Sequence, residues 1–120
     1  MNPSDAQRVI DTHVTSQLLV HKRQGQSAFE RLLPIFMEES RMLVAQMRCA
    51  IAASDSEGLR LTAHKLKGSA SVLGSVDIRI LSQSIMDKLD EGMMPQSDTL
   101  LQIEHAIEVF HEAAQAIITR

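Results

Sequence analysis

Apolar residues recur along most of the chain at alternating intervals of three and four, the period of one face of an α-helix. The clearest stripe lies near the C-terminal end and consists of Leu100, Ile103, Ile107, Phe110, Ala114 and Ile117. Three earlier segments carry similar stripes, and they are preceded by a shorter amphipathic stretch with Ile10, Val14 and Leu18. Four long segments with one apolar stripe each predict an all-α fold, an antiparallel up-down four-helix bundle with a short additional N-terminal helix.

Glycine, serine and aspartate residues interrupt this pattern and predict where each helix ends. The interruptions are Gly25, the Ser54-Asp55-Ser56 run, the Gly74-Ser75 pair and residues 92–97. Glycine commonly ends a helix, and serine and aspartate commonly cap the helix that follows. The predicted helices span roughly 5–23, 27–53, 56–73, 76–91 and 97–118, within a single domain covering residues 1–120. Pro34 falls early in the second helix and is expected to kink it or to mark a late start.

Composition and charge narrow the class of protein. The chain has 120 residues, of which 44% are hydrophobic and 2% aromatic, and its net charge is −3. Such a negative balance argues against nucleic acid as the main partner. No run approaches the roughly 18 apolar residues that a membrane span needs, and the single cysteine, Cys49, cannot form an internal disulfide. We therefore expect a cytoplasmic protein that binds neither nucleic acid nor a membrane and acts through a surface site.

The third predicted helix carries a histidine on its outer face. Its inward stripe consists of Leu59, Ala63, Leu66, Ala70 and Leu73. On a helical wheel, His64 lies about 140° from the centre of that stripe, and Gly68 lies almost directly opposite the core. A glycine inside a helix costs about 1 kcal/mol relative to alanine. Its place one turn after the histidine would leave the imidazole open to a visiting protein.

Lysines and apolar side chains surround the histidine on this face. Lys65 and Ser71 flank the exposed sector, and Lys67 stands nearer its boundary, from where a long side chain can swing toward the imidazole. Leu61 and Val72 also fall on the outer face, and small apolar patches beside polar groups often mark docking surfaces. An exposed imidazole is largely neutral and nucleophilic near neutral pH. Nucleophile, cations and open space together favour a site that receives a phosphoryl group and passes it on.

The histidine segment resembles the histidine-containing phosphotransfer (HPt) domain of multistep two-component phosphorelays. The motif of that family reads Ala-His-x-Leu-Lys-Gly-(Ser/Ala)-Ala, followed by a Leu-Gly pair nine and ten residues after the histidine. This chain matches it throughout, with Ala63-His64-Lys65-Leu66-Lys67-Gly68-Ser69-Ala70 and Leu73-Gly74. The resemblance extends over roughly residues 10–93. It departs at Ile85-Met86, where the family often carries Leu-Glu, and this argues against an acidic partner at that point of the fourth helix.

The resemblance implies a role for each residue of this surface. His64 would accept a phosphoryl group from the aspartyl phosphate of a receiver domain, and would pass it to another receiver or take it back. Lys67 and Lys65 would balance charge on the phosphorylated ring, and Gly68 would let the receiver approach. The candidate docking residues are Leu61, Ser71 and Val72.

The resemblance also implies partners and cofactors. The partners would be response-regulator receiver domains and a hybrid sensor histidine kinase. Mg²⁺ is expected on the receiver, so this chain would need no cofactor and hold no metal. The chain would be a monomeric phosphocarrier without autonomous kinase or phosphatase activity. Length alone favours a freestanding protein, and a domain excised from a larger hybrid kinase stays an alternative.

Other functions stay open at this point. In the dimerisation and phosphoacceptor module of a sensor histidine kinase, an acidic residue and then a proline typically follow the histidine. Here Lys65 follows, and no proline lies between residues 35 and 94. A degenerate HPt bundle could bind partners without phosphorylation, which the intact His64 argues against. Glu108 and His111 have a Glu-x-x-His spacing that binds metal inside some helical bundles, but the second copy that a di-iron site needs is missing from the sequence.

Overall fold

A computed structural model describes residues 9–20 and 22–119, and most of these residues are helical. Within them lie five α-helices and one two-stranded hairpin. In chain order the elements are α1 (Thr12–Val20), β1 (Lys22–Arg23), β2 (Gln26–Ser27), α2 (Ala28–Ala52), α3 (Ser56–Leu73), α4 (Val76–Asp90) and α5 (Ser97–Ile118).

Helices α2 to α5 form an antiparallel four-helix bundle. Each packs against the next, α5 closes the ring against α2, and α1 lies against α2 and α3. The stripes that the sequence places inward are buried, and the rings of Phe36 on α2 and Phe110 on α5 meet edge to face at 5.4 Å. Burial of these apolar side chains is the main force that holds the bundle together. The predicted all-α fold with an additional N-terminal helix is confirmed.

Local side-chain caps fix the starts of the two helices that carry the site. At α2, the Glu30 N–H donates to Ser27 Oγ at 3.1 Å, and the Ser27 N–H donates back to Glu30 Oε2 at 3.2 Å. This reciprocal capping box satisfies two N–H groups that have no partner within the helix. At α3, Asp55 Oδ1 accepts from the Gly58 N–H at 2.9 Å. Pro34 lies inside α2, which starts at Ala28, so the alternative of a late start is wrong.

The first helix is shorter than the predicted 5–23, of which residues 5–8 lie outside the described part of the chain. Ile10 is not helical and forms an isolated β-bridge with Ser75. Asp11 then caps α1, because its Oδ1 accepts from the His13 N–H at 3.1 Å. The Asp11 N–H donates to the Gly74 carbonyl at 2.7 Å. A tertiary contact with the α3–α4 turn therefore interrupts a segment whose apolar period alone would allow one continuous helix.

The predicted C-terminal boundary of this helix, residue 23, is also wrong, because Lys22–Arg23 forms the first strand of a hairpin. The strands pair Lys22 with Ser27 and Arg23 with Gln26. Between them, Gln24 and Gly25 have positive φ values of 54° and 81°. Two central residues with positive φ are typical of the tight turns that suit the twist of a β-hairpin. The strands lack the alternating apolar residues by which a hairpin is recognised in a sequence.

In the described part of the chain, no helix combines the length and the apolar character needed to cross a membrane.

Candidate functional site

His64 lies in the middle of α3, on the face that points away from the core. Its neighbours Ala63 and Leu66 are fully buried, at 0% exposure, whereas His64 itself is exposed. The same helix turn is thus anchored by its inner face and presents the imidazole on its outer face. A buried side chain has little freedom to turn, so packing of the inner face fixes the direction in which the histidine points.

Gly68 lies one helical turn after His64 and is also exposed. A Cβ atom built at this position would meet nothing within 4 Å. The fold therefore has room for a larger residue here, and close packing does not explain the glycine. Its effect is on the surface, where it leaves the space beside the imidazole open to an approaching molecule.

Lys67 is held on the α4 side of this surface. Its Nζ donates to Gln83 Oε1 at 2.6 Å, and Gln83 Nε2 in turn donates to Asp87 Oδ1 at 2.8 Å. Lys67 and Gln83 are partly buried, while Asp87 is exposed. The departure at Ile85-Met86 argued against an acidic partner, but the next residue supplies one. The lysine therefore reaches a carboxylate indirectly, through a neutral amide.

Lys65 is exposed and lies on the opposite side, toward α2. It lines a shallow groove of about 400 Å³ together with Ile35, Glu38, Glu39, Met42, Leu43 and Gln46. Next to this groove, Ser69 Oγ donates to Glu39 Oε1 at 2.8 Å and ties α3 to α2. The two lysines that are close in sequence are thus separated in space. Lys65 lies at the α2 edge of the histidine surface, and Lys67 lies at its α4 edge.

Four large apolar side chains are exposed on this side of the bundle. Leu61 and Val72 on α3 are each 57% exposed, and Ile35 and Met42 on α2 are 59% and 53% exposed. Ile35 of α2 and Val72 of α3 line one groove together, so exposed apolar side chains of the two helices adjoin there. Exposed apolar residues gathered beside a polar group are typical of a binding surface.

Ser71, the remaining predicted docking residue, is exposed on the same helix. Its Oγ donates to the Lys67 carbonyl at 2.9 Å. The hydroxyl hydrogen is therefore directed at its own helix backbone, and its oxygen is left as an acceptor toward solvent.

The family comparison agrees with this geometry. A family model described as the Hpt domain matches residues 31–118, which span α2 to α5 apart from the first turn of α2. The chain belongs to the Hpt domain family. Membership supports a general role in phosphorelay phosphotransfer, and it implies interaction with receiver domains and histidine kinases.

A solved structure shares the fold. It is the HPt domain from the Hpt sensor hybrid histidine kinase of Shewanella, with a TM-score of 0.70 and 17% sequence identity. The alignment covers 96% of this chain and 97% of that one. At this identity the likeness concerns the fold alone. No curated protein matches the chain significantly.

Glu108 and His111, the pair with the Glu-x-x-His spacing, both lie on α5 of this Hpt domain. Glu108 forms an ion pair with Arg41 of α2 at 2.9 Å, across the face formed by α2 and α5. His111 lines a separate groove on that face. Among residues 9–20 and 22–119, no three histidine, cysteine, aspartate or glutamate side chains are grouped as metal ligands would be. Glu108 is therefore engaged by an arginine of α2 in this structure.

Sequence reasoning missed four residues of this Hpt surface, all on helices other than α3. Ile35 and Met42 lie seven residues apart, or about two helical turns, and off the buried stripe of α2. Gln83 and Asp87 lie four residues apart on α4, a spacing that places them side by side on one helix face. These spacings were the available signals. Neither indicates that its helix face adjoins His64, since that depends on how the helices pack.

Proposed function

We propose that this Hpt domain is a phosphorelay intermediate in which His64 carries the phosphoryl group between receiver aspartates. The exposed His64 imidazole, with open space at Gly68 beside it, is the observation that supports this proposal most directly. A receiver must bring its phosphorylated aspartate to within bonding distance of the ring. Transfer of a phosphoryl group depends mainly on such alignment and on positive charge near the phosphoryl oxygens.

The transfer itself is a single displacement at phosphorus. The unprotonated ring nitrogen of His64 attacks the phosphorus atom of the aspartyl phosphate, and a P–N bond forms as the P–O bond to the aspartate breaks. The carboxylate leaves with the bonding electron pair. The ring becomes a phosphoimidazolium, which keeps its proton on the other ring nitrogen. The reverse displacement, by a carboxylate oxygen of a second receiver, returns the imidazole to its starting form.

The other residues of the surface support this exchange. Lys67 and Lys65 supply positive charge from the two sides of the surface, and Leu61, Ser71 and Val72 contact the receiver. Ile35 and Met42 extend that contact onto α2. Mg²⁺ is supplied by the receiver, so this chain requires no cofactor of its own. The domain acts as a monomer in the cytoplasm and has no kinase or phosphatase activity by itself.

The deciding experiment is phosphoryl transfer from a panel of ³²P-labelled receiver domains to the wild-type protein and to His64→Gln. We expect acid-labile, alkali-stable label on the wild type and none on the variant. Label that persists on His64→Gln would show that another residue is the acceptor. If a folded wild type takes no label from any receiver, the chain is better explained as a bundle that binds partners without being phosphorylated.

A further inference from the structure

The side chains of Lys67, Gln83 and Asp87 form a hydrogen-bonded series that crosses from α3 to α4. The first link is 2.6 Å from Lys67 Nζ to Gln83 Oε1, and the second is 2.8 Å from Gln83 Nε2 to Asp87 Oδ1. We propose that Asp87 is a positioning residue for phosphoryl transfer. It orients the Gln83 amide so that its oxygen faces Lys67, and it thereby fixes the place of the lysine ammonium. This inference rests on the phosphocarrier function proposed above.

The orientation of the Gln83 amide follows from the chemistry of its two neighbours. A lysine ammonium offers three donors and no acceptor, and an ionised aspartate offers acceptors only. An amide placed between them can bond both in one orientation alone, with its oxygen toward the lysine and its NH₂ toward the carboxylate. Without the carboxylate, the NH₂ end of the amide would lose its partner, and the contact with the ammonium alone would hold the Gln83 side chain.

The backbone that carries the series is held by the core. Gln83 and Asp87 lie four residues apart on α4, so their side chains are neighbours on one helix face. Between them, Ile85 is 0% exposed and Met86 is 7% exposed, and both contribute to the core. Because α4 packs extensively on α3, the distance that Lys67 must span is set by the bundle. The series is therefore a fixed feature of the surface rather than a chance meeting of long side chains.

An indirect link to a carboxylate has a consequence that a direct ion pair lacks. On the other side of the bundle, Arg41 donates directly to the Glu108 carboxylate, so its partner is an anion. Lys67 instead bonds a neutral oxygen, which uses one of its three donors and leaves its charge available. The other two donors can bond the phosphoryl oxygens on His64. Asp87 thus holds the lysine in place without competing directly with the phosphoryl group.

The first test measures the rate of transfer from one labelled receiver to Asp87→Ala and Asp87→Asn. We expect Asp87→Ala to slow transfer by about fivefold, because the amide and then the lysine lose their fixed positions. Asp87→Asn should retain most of the rate, since its side-chain oxygen can still accept from Gln83 Nε2. In a Lys67→Ala background, Asp87→Ala should have no further effect, as expected for two residues that act through one another.

A matched control separates this effect from a general loss of charge. Glu91→Ala removes one carboxylate from the exposed C-terminal end of α4 and should leave the transfer rate unchanged. Asp87 and Glu91 are both exposed, so the single variants at these two positions should unfold at about the same urea concentration as the wild type. Equal slowing by Asp87→Ala with and without Lys67 would overturn the inference, and so would an Asp87→Asn variant as slow as Asp87→Ala.

A second measurement does not require phosphorylation. The side-chain NH₂ signals of Gln83 in a ¹H–¹⁵N spectrum should shift in Asp87→Ala and stay near their original positions in Glu91→Ala. Unchanged Gln83 signals in Asp87→Ala would overturn the orientation that we propose. If the wild type accepts label normally and Asp87→Ala does so at the same rate, the positioning role fails and the carrier function stands. If the wild type accepts no label, the carrier function fails and the role in transfer fails with it.

Discussion

Gly68 lies within α3 and Gly74 directly follows its last residue, and the two positions differ in why they carry a glycine. At Gly68 the backbone is helical and a Cβ would meet nothing within 4 Å. Gly74 ends α3 with a φ of 79°, in the left-handed region. There a Cβ would lie 3.0 Å from the Asp11 carbonyl oxygen and 3.3 Å from Thr15 Oγ1. The fold requires a glycine at Gly74 and does not require one at Gly68.

Gly74 is needed to maintain the fold, whereas Gly68 keeps space open on the surface. Gly74 lets the chain turn from α3 into α4 and lets α1 approach, because its carbonyl accepts from the Asp11 N–H at 2.7 Å. Gly68 lowers helix stability by about 1 kcal/mol relative to alanine and gains no packing in return. A residue that costs stability on an open face beside His64 points to a requirement outside the folded chain, namely a partner that must come close.

The largest change in free energy is expected from Gly74→Ala, which should destabilise the fold. A residue with a side chain in the left-handed region costs roughly 1–2 kcal/mol, and the Cβ would also press against the Asp11 carbonyl. We expect the free energy of unfolding to fall by about 2 kcal/mol in urea denaturation. Gly25→Ala is a matched control, because its φ is 81° but a Cβ there meets nothing within 4 Å. A Gly74→Ala loss no greater than the Gly25→Ala loss would show that the approach of α1 does not depend on this glycine.

Gly68→Gln is expected to have a smaller effect, on the rate of phosphoryl transfer rather than on folding stability. The long side chain would occupy the space beside His64, while glutamine is a good helix former. We expect the rate of phosphoryl transfer from a receiver to fall about tenfold, equivalent to about 1.4 kcal/mol, with no loss of folding stability. Transfer rates and urea unfolding of the same preparation would be compared. Unchanged transfer would mean that the open space is not used by the partner.

The smallest effect is expected from Gly68→Ala. A single methyl group on an exposed helix position should raise the free energy of unfolding by roughly 0.5–1 kcal/mol, because alanine loses less backbone entropy on folding. Thermal or urea unfolding against the wild type would measure this gain. A decrease in stability would contradict the assignment of Gly68 to the open face, and would also weaken the contrast with Gly74.

The sequence predicted the site helix well because its signals are local. The stripe of Leu59, Ala63 and Leu66 sets which face of α3 is buried, and the opposite face then carries His64. Asp55 caps the start of α3 through the Gly58 N–H, and the sequence placed the helix at 56–73, as the structure does. Period and cap act within a few residues of each other, so no knowledge of the rest of the fold is needed.

The N-terminal region was predicted less well because the local helix period was outweighed there. The apolar period of Ile10, Val14 and Leu18 favours a helix, but Asp11 is a cap that starts the helix at Thr12. Ile10 pairs with Ser75, more than sixty positions away in the chain. The helix period was read correctly where it persists and wrongly where a distant turn offers the backbone other hydrogen bonds.

The sequence by itself determined the helices of the bundle, the face that is buried on each, and the surface that presents His64 beside Gly68. Packing alone decided what adjoins that surface. It sets Lys65 beside α2 and Lys67 beside α4, and it brings Gln83 Oε1 within 2.6 Å of Lys67 Nζ. The physical reason is the distance along the chain over which each interaction acts. Helix period and capping act between residues a few positions apart, whereas the neighbours of an exposed side chain depend on how whole helices pack against one another.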